Sequence, residues 1–187
     1  DLIVTGVQTC ALPISSGRTV RRIETGQTDL SKVCFSPTGH FFLTASQSGQ
    51  LGLWNSKNGS LIREYHGHHG RINVLQWSKD GRRFVSGGTD GIACVWNIDN
   101  TKPYWLIRES NLLFPRPSIS PDGNRIIVGG YTGRIAIGDI GSRTIESIVP
   151  LSGGMIKKIY FSKRTPSAFY YSSYTLKVSL CFAFIPD

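Results

Sequence analysis

At 187 residues, 40% of them hydrophobic and 18% charged, the chain is long enough to bury one core and short for two. Twenty-one Gly, nine Pro and 11% aromatic residues exclude a disordered tail and favour a turn-rich, all-β protein over a helical bundle. The formal net charge of +9 makes the surface basic and keeps acidic partners in view.

The longest apolar run, around residues 178–185, falls well short of the roughly 20 residues that a membrane-crossing helix needs, so no membrane association is expected. No basic segment precedes an apolar stretch at the start, so no secretory signal is expected either. Cys10, Cys34, Cys94 and Cys181 are scattered without a C-x-x-C pair, which argues against a disulfide framework and against a zinc finger. A reducing, intracellular compartment, cytoplasmic or nuclear, fits that usage.

In chain order, residues 4–14 come first, and they show no helical or strand periodicity. They resemble the translation of a sequencing-library adapter, and residues 1–15 are expected to be a non-native leader outside the fold. Beyond them a fixed step appears. Ser36, Ser78, Ser120 and Ser162 are spaced alike, as are Gly39, Gly81 and Gly123, then Gly49, Gly91 and Gly133, and Trp54, Trp96 and Gly138. A period of about 40–45 residues marks a propeller-type repeat. Repeats are expected at about 25–65, 66–109, 110–150 and 151–180.

Within each period, short β-branched and aromatic runs alternate with a Ser-x-x-Gly turn and a second small-residue turn, the pattern of strands joined by tight turns. In the central repeat the runs are 72–77, 83–87, 92–96 and 104–109. Four antiparallel strands make one twisted sheet that cannot bury both faces alone, so successive sheets must stack around an axis. The tail is open to two readings. Residues 169–179 read as the second and third strands of a fourth, degenerate sheet, or else everything after Ser162 is translated non-coding sequence; residues 181–187 are unassigned.

Gly67-His68, followed by Ser86-Gly-Gly-Thr-Asp90-Gly91 and closed by Val95-Trp96-Asn97, resembles the full repeat signature of the WD40 β-propellers, with Asn97 in place of the usual Asp. The resemblance implies an all-β, partial propeller of three to four blades over residues 16–180, with further blades needed to close it. It implies a polar network on His68, Ser86, Asp90 and Trp96, with Thr44 and Trp54 as counterparts in the first repeat. There Gln27 stands for the His and Ser48 for the Asp, so a thinner network is expected. The third repeat has Gly129, Thr132 and Gly138 at these places and must rest on apolar packing, which Ile126, Ile127, Val128, Ile135 and Ile137 can supply. Parts of the central and third repeats are also similar to cilia- and flagella-associated WD-repeat proteins.

His68, Ser86 and Asp90 are the residue types of a hydrolase triad, but no G-x-S-x-G elbow is present and each has a place in the repeat, so no enzyme and no cofactor are expected. His66, His68 and His69 lack a further ligand cluster, so no metal is expected. The resemblance implies a scaffold that binds other proteins or peptides. Loops at 28–30, 69–71, 111–114 and 153–155 lead into the first strands, and Asp29, His69, Arg71 and Phe114 are the candidate contacts, since Arg and aromatic groups dominate hot spots. The alternative is a nucleic-acid or ribonucleoprotein module using basic clusters at Arg18/Arg21/Arg22, Arg82/Arg83 and Lys157/Lys158/Lys163/Arg164.

Overall fold

The computed structural model describes residues 3–5, 9–10, 22–27, 29–109, 112, 114–151, 154–162, 168–173 and 179–184; for 3–5, 9–10, 22, 168 and 179–184 it describes the backbone alone. Among the described residues every regular element is a strand, as the composition predicts. The first sheet holds β1 (Ile3–Thr5), β2 (Thr9–Cys10) and β3 (Arg22–Glu24) in the order β2-β1-β3. Part of the segment that the sequence analysis sets outside the fold is therefore extended here. β1 runs parallel to β3, a polarity that no other described pair shares.

Three four-stranded antiparallel sheets follow in simple up-and-down order. The first is β4 (Leu30–Phe35), β5 (Phe41–Ser46), β6 (Leu51–Asn55) and β7 (Leu61–Tyr65). The second is β8 (Ile72–Trp77), β9 (Arg83–Gly88), β10 (Ala93–Asn97) and β11 (Trp105–Ile107). The third is β12 (Arg116–Ile119), β13 (Arg125–Gly129), β14 (Arg134–Asp139) and β15 (Thr144–Pro150). A fourth sheet has three strands, β16 (Ile156–Phe161), β17 (Ala168–Ser173) and β18 (Ser179–Phe184). This is the blade order of a partial propeller.

The fourth sheet differs from its expected form. Its second strand lies near the predicted place, but its third begins at Ser179, where the predicted third strand ends. Residues 181–184, unassigned from sequence, supply most of that strand. Leu180-Cys-Phe-Ala-Phe184 is an apolar, aromatic run of the kind that favours extended pairing, whereas Thr175-Leu-Lys-Val178 interrupts its apolar residues with a charge.

The recurring glycines are turn residues for a backbone reason. Gly39, Gly81 and Gly123 have φ of 72°, 68° and 75°, and Gly49, Gly91 and Gly133 have 90°, 77° and 71°, a region that side chains with a Cβ avoid. The serines at the start of each Ser-x-x-Gly turn add a local lock. Ser78 Oγ accepts from Arg83 N at 3.0 Å, and Ser120 Oγ accepts from Arg125 N at 2.9 Å. Each hydroxyl donates in turn to a turn carboxylate, Asp80 at 2.6 Å and Asp122 at 2.5 Å. Burial pushes the Asp80 carboxyl up, but the Ser78 hydroxyl, the Arg82 N–H and the charges of Arg82 and Arg83 outweigh it and hold the group below the usual carboxylate range.

Successive residues of each strand face opposite neighbours, so the core is divided into interfaces between sheets. Leu43, Leu51 and Leu53 of the first blade pack with Ile72, Phe84, Cys94 and Trp96 of the second. Val85, Ala93 and Val95, one residue out of phase, pack instead with Ile119, Ile126, Val128 and Ala136 of the third. Ile127, Ile135 and Ile137 then meet Ile156, Ile159 and Phe161 of the fourth. The isoleucine-rich third blade thus rests on apolar contacts on both sides.

Polar ties join the inner strands at matching places. Trp77 Nε1 donates to Cys34 O at 3.1 Å, Ile119 N to Gln76 Oε1 at 3.4 Å, and Phe161 N to Ser118 Oγ at 3.3 Å. In all three the partners are 43 residues apart. The same two repeat positions meet at each junction, whatever chemistry the residues there provide.

Candidate functional site

The connection from β7 to β8 carries His68 over the edge of the second sheet, where its side chain is fully buried. Its Nδ1 lies 2.9 Å from Asp90 Oδ2 and its Nε2 lies 2.7 Å from Ser86 Oγ. Trp96 Nε1 donates to the same hydroxyl at 2.8 Å. With the indole a donor only and the carboxylate an acceptor only, one proton assignment satisfies every atom: indole N–H to Ser86, Ser86 O–H to Nε2, and Nδ1–H to Asp90. Asp90 also accepts from His69 N at 2.9 Å and from Ile92 N at 3.1 Å, so one carboxylate closes the β9–β10 turn and anchors the incoming loop. The structure brings together all four residues that the repeat signature singles out in this blade.

In the first blade Thr44 and Trp54 meet in the same way. Trp54 Nε1 donates to Thr44 Oγ1 at 2.8 Å, and that hydroxyl donates to Gln27 Oε1 at 2.5 Å. Ser48, expected at the Asp place of this network, is not in it. Its hydroxyl pairs with Ser46 Oγ at 2.9 Å, since a serine side chain is too short to span the turn as Asp90 does. In the third blade Gly138 leaves room that is filled from elsewhere. A Cβ there would lie 2.7 Å from Cη2 of Trp105, whose ring comes from the preceding blade's outer strand. No signal in the repeat spacing pointed to Trp105, because it lies outside the matched motif.

Desolvation holds the His68 imidazole below its ordinary value of 6.5, with Asp90 pulling the other way and losing. The imidazole is therefore neutral in the folded protein at neutral pH. The unfolded chain takes up a proton near pH 6.5 while the folded one resists, so the stability due to His68 is present above that pH and declines as pH falls below it. Thermal unfolding followed by Trp fluorescence should show the midpoint dropping between pH 7 and 5, and His68→Gln should flatten that slope. An equal slope in the variant would assign the dependence to other groups.

The Asp90–His68–Ser86 chain has the contacts of a hydrolytic triad, but Ser86 is wholly buried and its oxygen already accepts the Trp96 indole. The Ser86 hydroxyl is thus enclosed and already engaged by both the indole and the imidazole. Both nitrogens of His68 are used within the network, which leaves His66 and His69 exposed on either side of an inward-facing neighbour. Cys34 and Cys94 are free thiols pushed up by burial, Cys34 with a smaller opposing effect from the Trp77 hydrogen bond and Cys94 with a further push from the Asp90 charge.

Asp29, His69, Arg71 and Phe114 are all exposed, in the loops that lead into β4, β8 and β12. The backbone beneath them is fixed. Asp29 O accepts from Gln47 N at 2.9 Å and Arg71 O from Thr89 N at 2.8 Å, two bonds at the same repeat position. Phe114 lies 4.9 Å from the Tyr131 ring, 39% exposed. The basic clusters are less uniform. Arg83 is engaged between blades, donating to Gly123 O at 2.8 Å and lying 5.7 Å over the Tyr104 ring, while Arg82 is exposed. Lys157 and Lys158 are exposed on β16. Arg18, Arg21, Lys163 and Arg164, together with the Arg22 side chain, lie outside the described residues, as do Thr28, Asn111, Leu113 and Gly153 of the candidate loops.

Comparison with known proteins places these features. The chain is 30% identical over 131 residues to the small ribosomal subunit protein RACK1 of Drosophila melanogaster, an overlap of 68% of this chain and 41% of that protein. It is 26% identical over 121 residues to autophagy-related protein 16 of Arabidopsis thaliana, covering 63% of this chain and 24% of that one. It is 28% identical over 122 residues to telomerase Cajal body protein 1 of Bos taurus, covering 63% and 23%. The chain thus spans under half of the first relative and about a quarter of the others. The family model described as WD domain, G-beta repeat matches residues 17–55 and 59–97. Each match ends on the Trp-Asn pair that closes a third strand and takes in the strand preceding the blade, β3 in one case and β7 in the other. Sheet order, glycine turns, the His68–Ser86–Trp96 network and these matches agree: the chain belongs to the WD40-repeat family.

Proposed function

We propose that this chain is part of a non-catalytic protein-interaction scaffold, and that its contact surface is the end of the blades where Asp29, His69, Arg71 and Phe114 stand. The observation that carries this reading is the interlocking of two sets of loops at that end. The β5–β6 turn meets the β7–β8 connection so closely that a Cβ at Gly49 would lie 2.7 Å from His68 O. The β13–β14 turn meets the loop before β16 likewise, where a Cβ at Gly133 would lie 3.1 Å from Gly154 O. Side chains on loops braced in this way are presented with little left to order on binding. The exposed Phe114 and Met155, 39% and 43% accessible, add apolar area beside Arg71 and His69. Such a mixture suits a protein or peptide better than a polyphosphate backbone.

The test is a photo-crosslinking residue placed at position 71 or 114, with positions 79 and 142, on the β8–β9 and β14–β15 turns, as controls, in extract of the source cells. Crosslinks to polypeptide from 71 and 114 and none from the controls support the reading. Crosslinking from the control end alone would move the surface, and capture of nucleic acid that falls steeply with added salt would favour the nucleic-acid module instead. An intracellular, cytoplasmic or nuclear setting belongs to the same proposal, supported by relatives named for the ribosomal subunit and the Cajal body.

A further inference from the structure

Inward from that end, the inner strands of the blades enclose a groove of about 310 Å³ with an unusual charge. Lys32 of β4, Arg116 of β12, and Lys157 and Lys158 of β16 all line it, and no carboxylate does among the described residues. Lys32, Val74, Arg116 and Lys158 occupy one repeat position on four successive inner strands, so the fold itself brings three of these cations to one cavity. Asn73 and Gln76 of β8 add neutral polar groups to the wall between them. Arg116 is half-buried, and its Nε is buried without a hydrogen-bond partner among the described residues. Its guanidinium carbon lies over the Tyr131 ring, 6.0 Å from the centroid, a contact that uses no N–H donor.

We propose that this groove binds a small polyanion, a multiply phosphorylated molecule, along the inner strands. Gathering like charges around one cavity is unfavourable unless an anion neutralises them. Ammonium groups act as point charges toward phosphate, and a planar guanidinium offers a fork to two oxygens of one phosphoryl group. The cations ring a compact cavity from three strands, not a linear track, which favours a small, highly charged ligand over an extended chain. Arg116 and the proposed contact residue Phe114 share the Tyr131 ring, so the groove adjoins the loop end, and the test is placed on Lys32 and Lys158 of the inner strands to keep the two readings distinguishable.

Tripolyphosphate titrated calorimetrically into the full chain at 0.15 M salt should bind saturably, with a dissociation constant below about 100 µM, roughly 5.5 kcal/mol. Lys32→Ala combined with Lys158→Ala should weaken binding at least tenfold, while Lys102→Ala on a distant turn should leave it unchanged. Both lysines are exposed, so the double variant is expected to fold. In the unaltered protein, tripolyphosphate should also protect Lys32 and Lys158, but not Lys102, from acetylation, a readout independent of any variant. Absence of binding, an unaffected double variant or uniform acetylation overturns the proposal. Hexaglutamate binding as tightly as tripolyphosphate, or an oligonucleotide doing so, overturns it in favour of an acidic peptide or a nucleic acid.

Discussion

Asp90→Ala is expected to lower the thermal unfolding midpoint by about 6–12 °C at neutral pH, measured by differential scanning fluorimetry. One carboxylate accepts from three donors, His68 Nδ1–H, His69 N and Ile92 N, and the imidazole among them is fully buried. Removing the acceptor strands that imidazole N–H and frees a glycine-containing turn. An unpaired buried polar group costs about 1–3 kcal/mol, and each kcal/mol moves the midpoint of a chain of this size by about 2–4 °C. A value near 3 kcal/mol applies because the loss disables a connected chain of donors and acceptors. Asp90→Asn keeps one carbonyl oxygen and should cost clearly less. Trp96→Phe acts at the far end of the chain: it removes the donor to Ser86 and also shrinks a fully buried ring that stacks on Phe84, so its cost includes a cavity. A midpoint within 2 °C of the parent for Asp90→Ala would show that these bonds contribute nothing net.

Gly138→Trp should destabilise the protein, although it restores the residue that the repeat has at Trp54 and Trp96. The space is already taken: a Cβ alone would sit 2.7 Å from Trp105 Cη2 and 2.9 Å from Thr144 O. The first neighbour can rotate, but the second is backbone. Overpacking of this kind costs about 1–3 kcal/mol for modest additions, so Gly138→Ala should already lower the midpoint by a few degrees. Gly138→Trp should be worse, to the point of reduced soluble yield. Adding Trp105→Gly to Gly138→Trp should recover part of the loss, because the two rings compete for one volume. A stabilised Gly138→Trp would mean that the third blade tolerates the signature residue and that Trp105 fills a void of no consequence.

The two cases divide what spacing along the chain can and cannot reveal. Periodic Ser and Gly positions report backbone geometry, which depends on local residues, and the turns at Gly39, Gly81 and Gly123 adopt the positive φ that such residues permit. The Trp96–Ser86–His68–Asp90 connection was legible through the family resemblance, which assigns donors and acceptors to fixed places within one unit. What fills a space when the expected residue is missing depends on neighbours from other units, and no single repeat contains that information. Whereas the departure of Ser48 toward Ser46 is settled within one turn by the short reach of a serine side chain, Trp105 at Gly138 is an instance of that dependence on other units. The same holds for the inner-strand groove. Lys32, Arg116 and Lys158 are separate surface charges in the linear chain, and only stacking of the sheets makes them neighbours.

The junction ties carry a consequence for how such a chain can change. Cys34 with Trp77, Gln76 with Ile119, and Ser118 with Phe161 join equivalent points by a backbone carbonyl, a side-chain amide and a hydroxyl in turn. Since the geometry is common and the chemistry interchangeable, a whole unit can be duplicated, lost or exchanged for another and still find its mates on either flank. Deleting a single amino acid inside a strand has no such protection, because it turns the rest of that strand's side chains to the opposite face. Lengthening by modules and resistance to point slippage are therefore two faces of one construction rule.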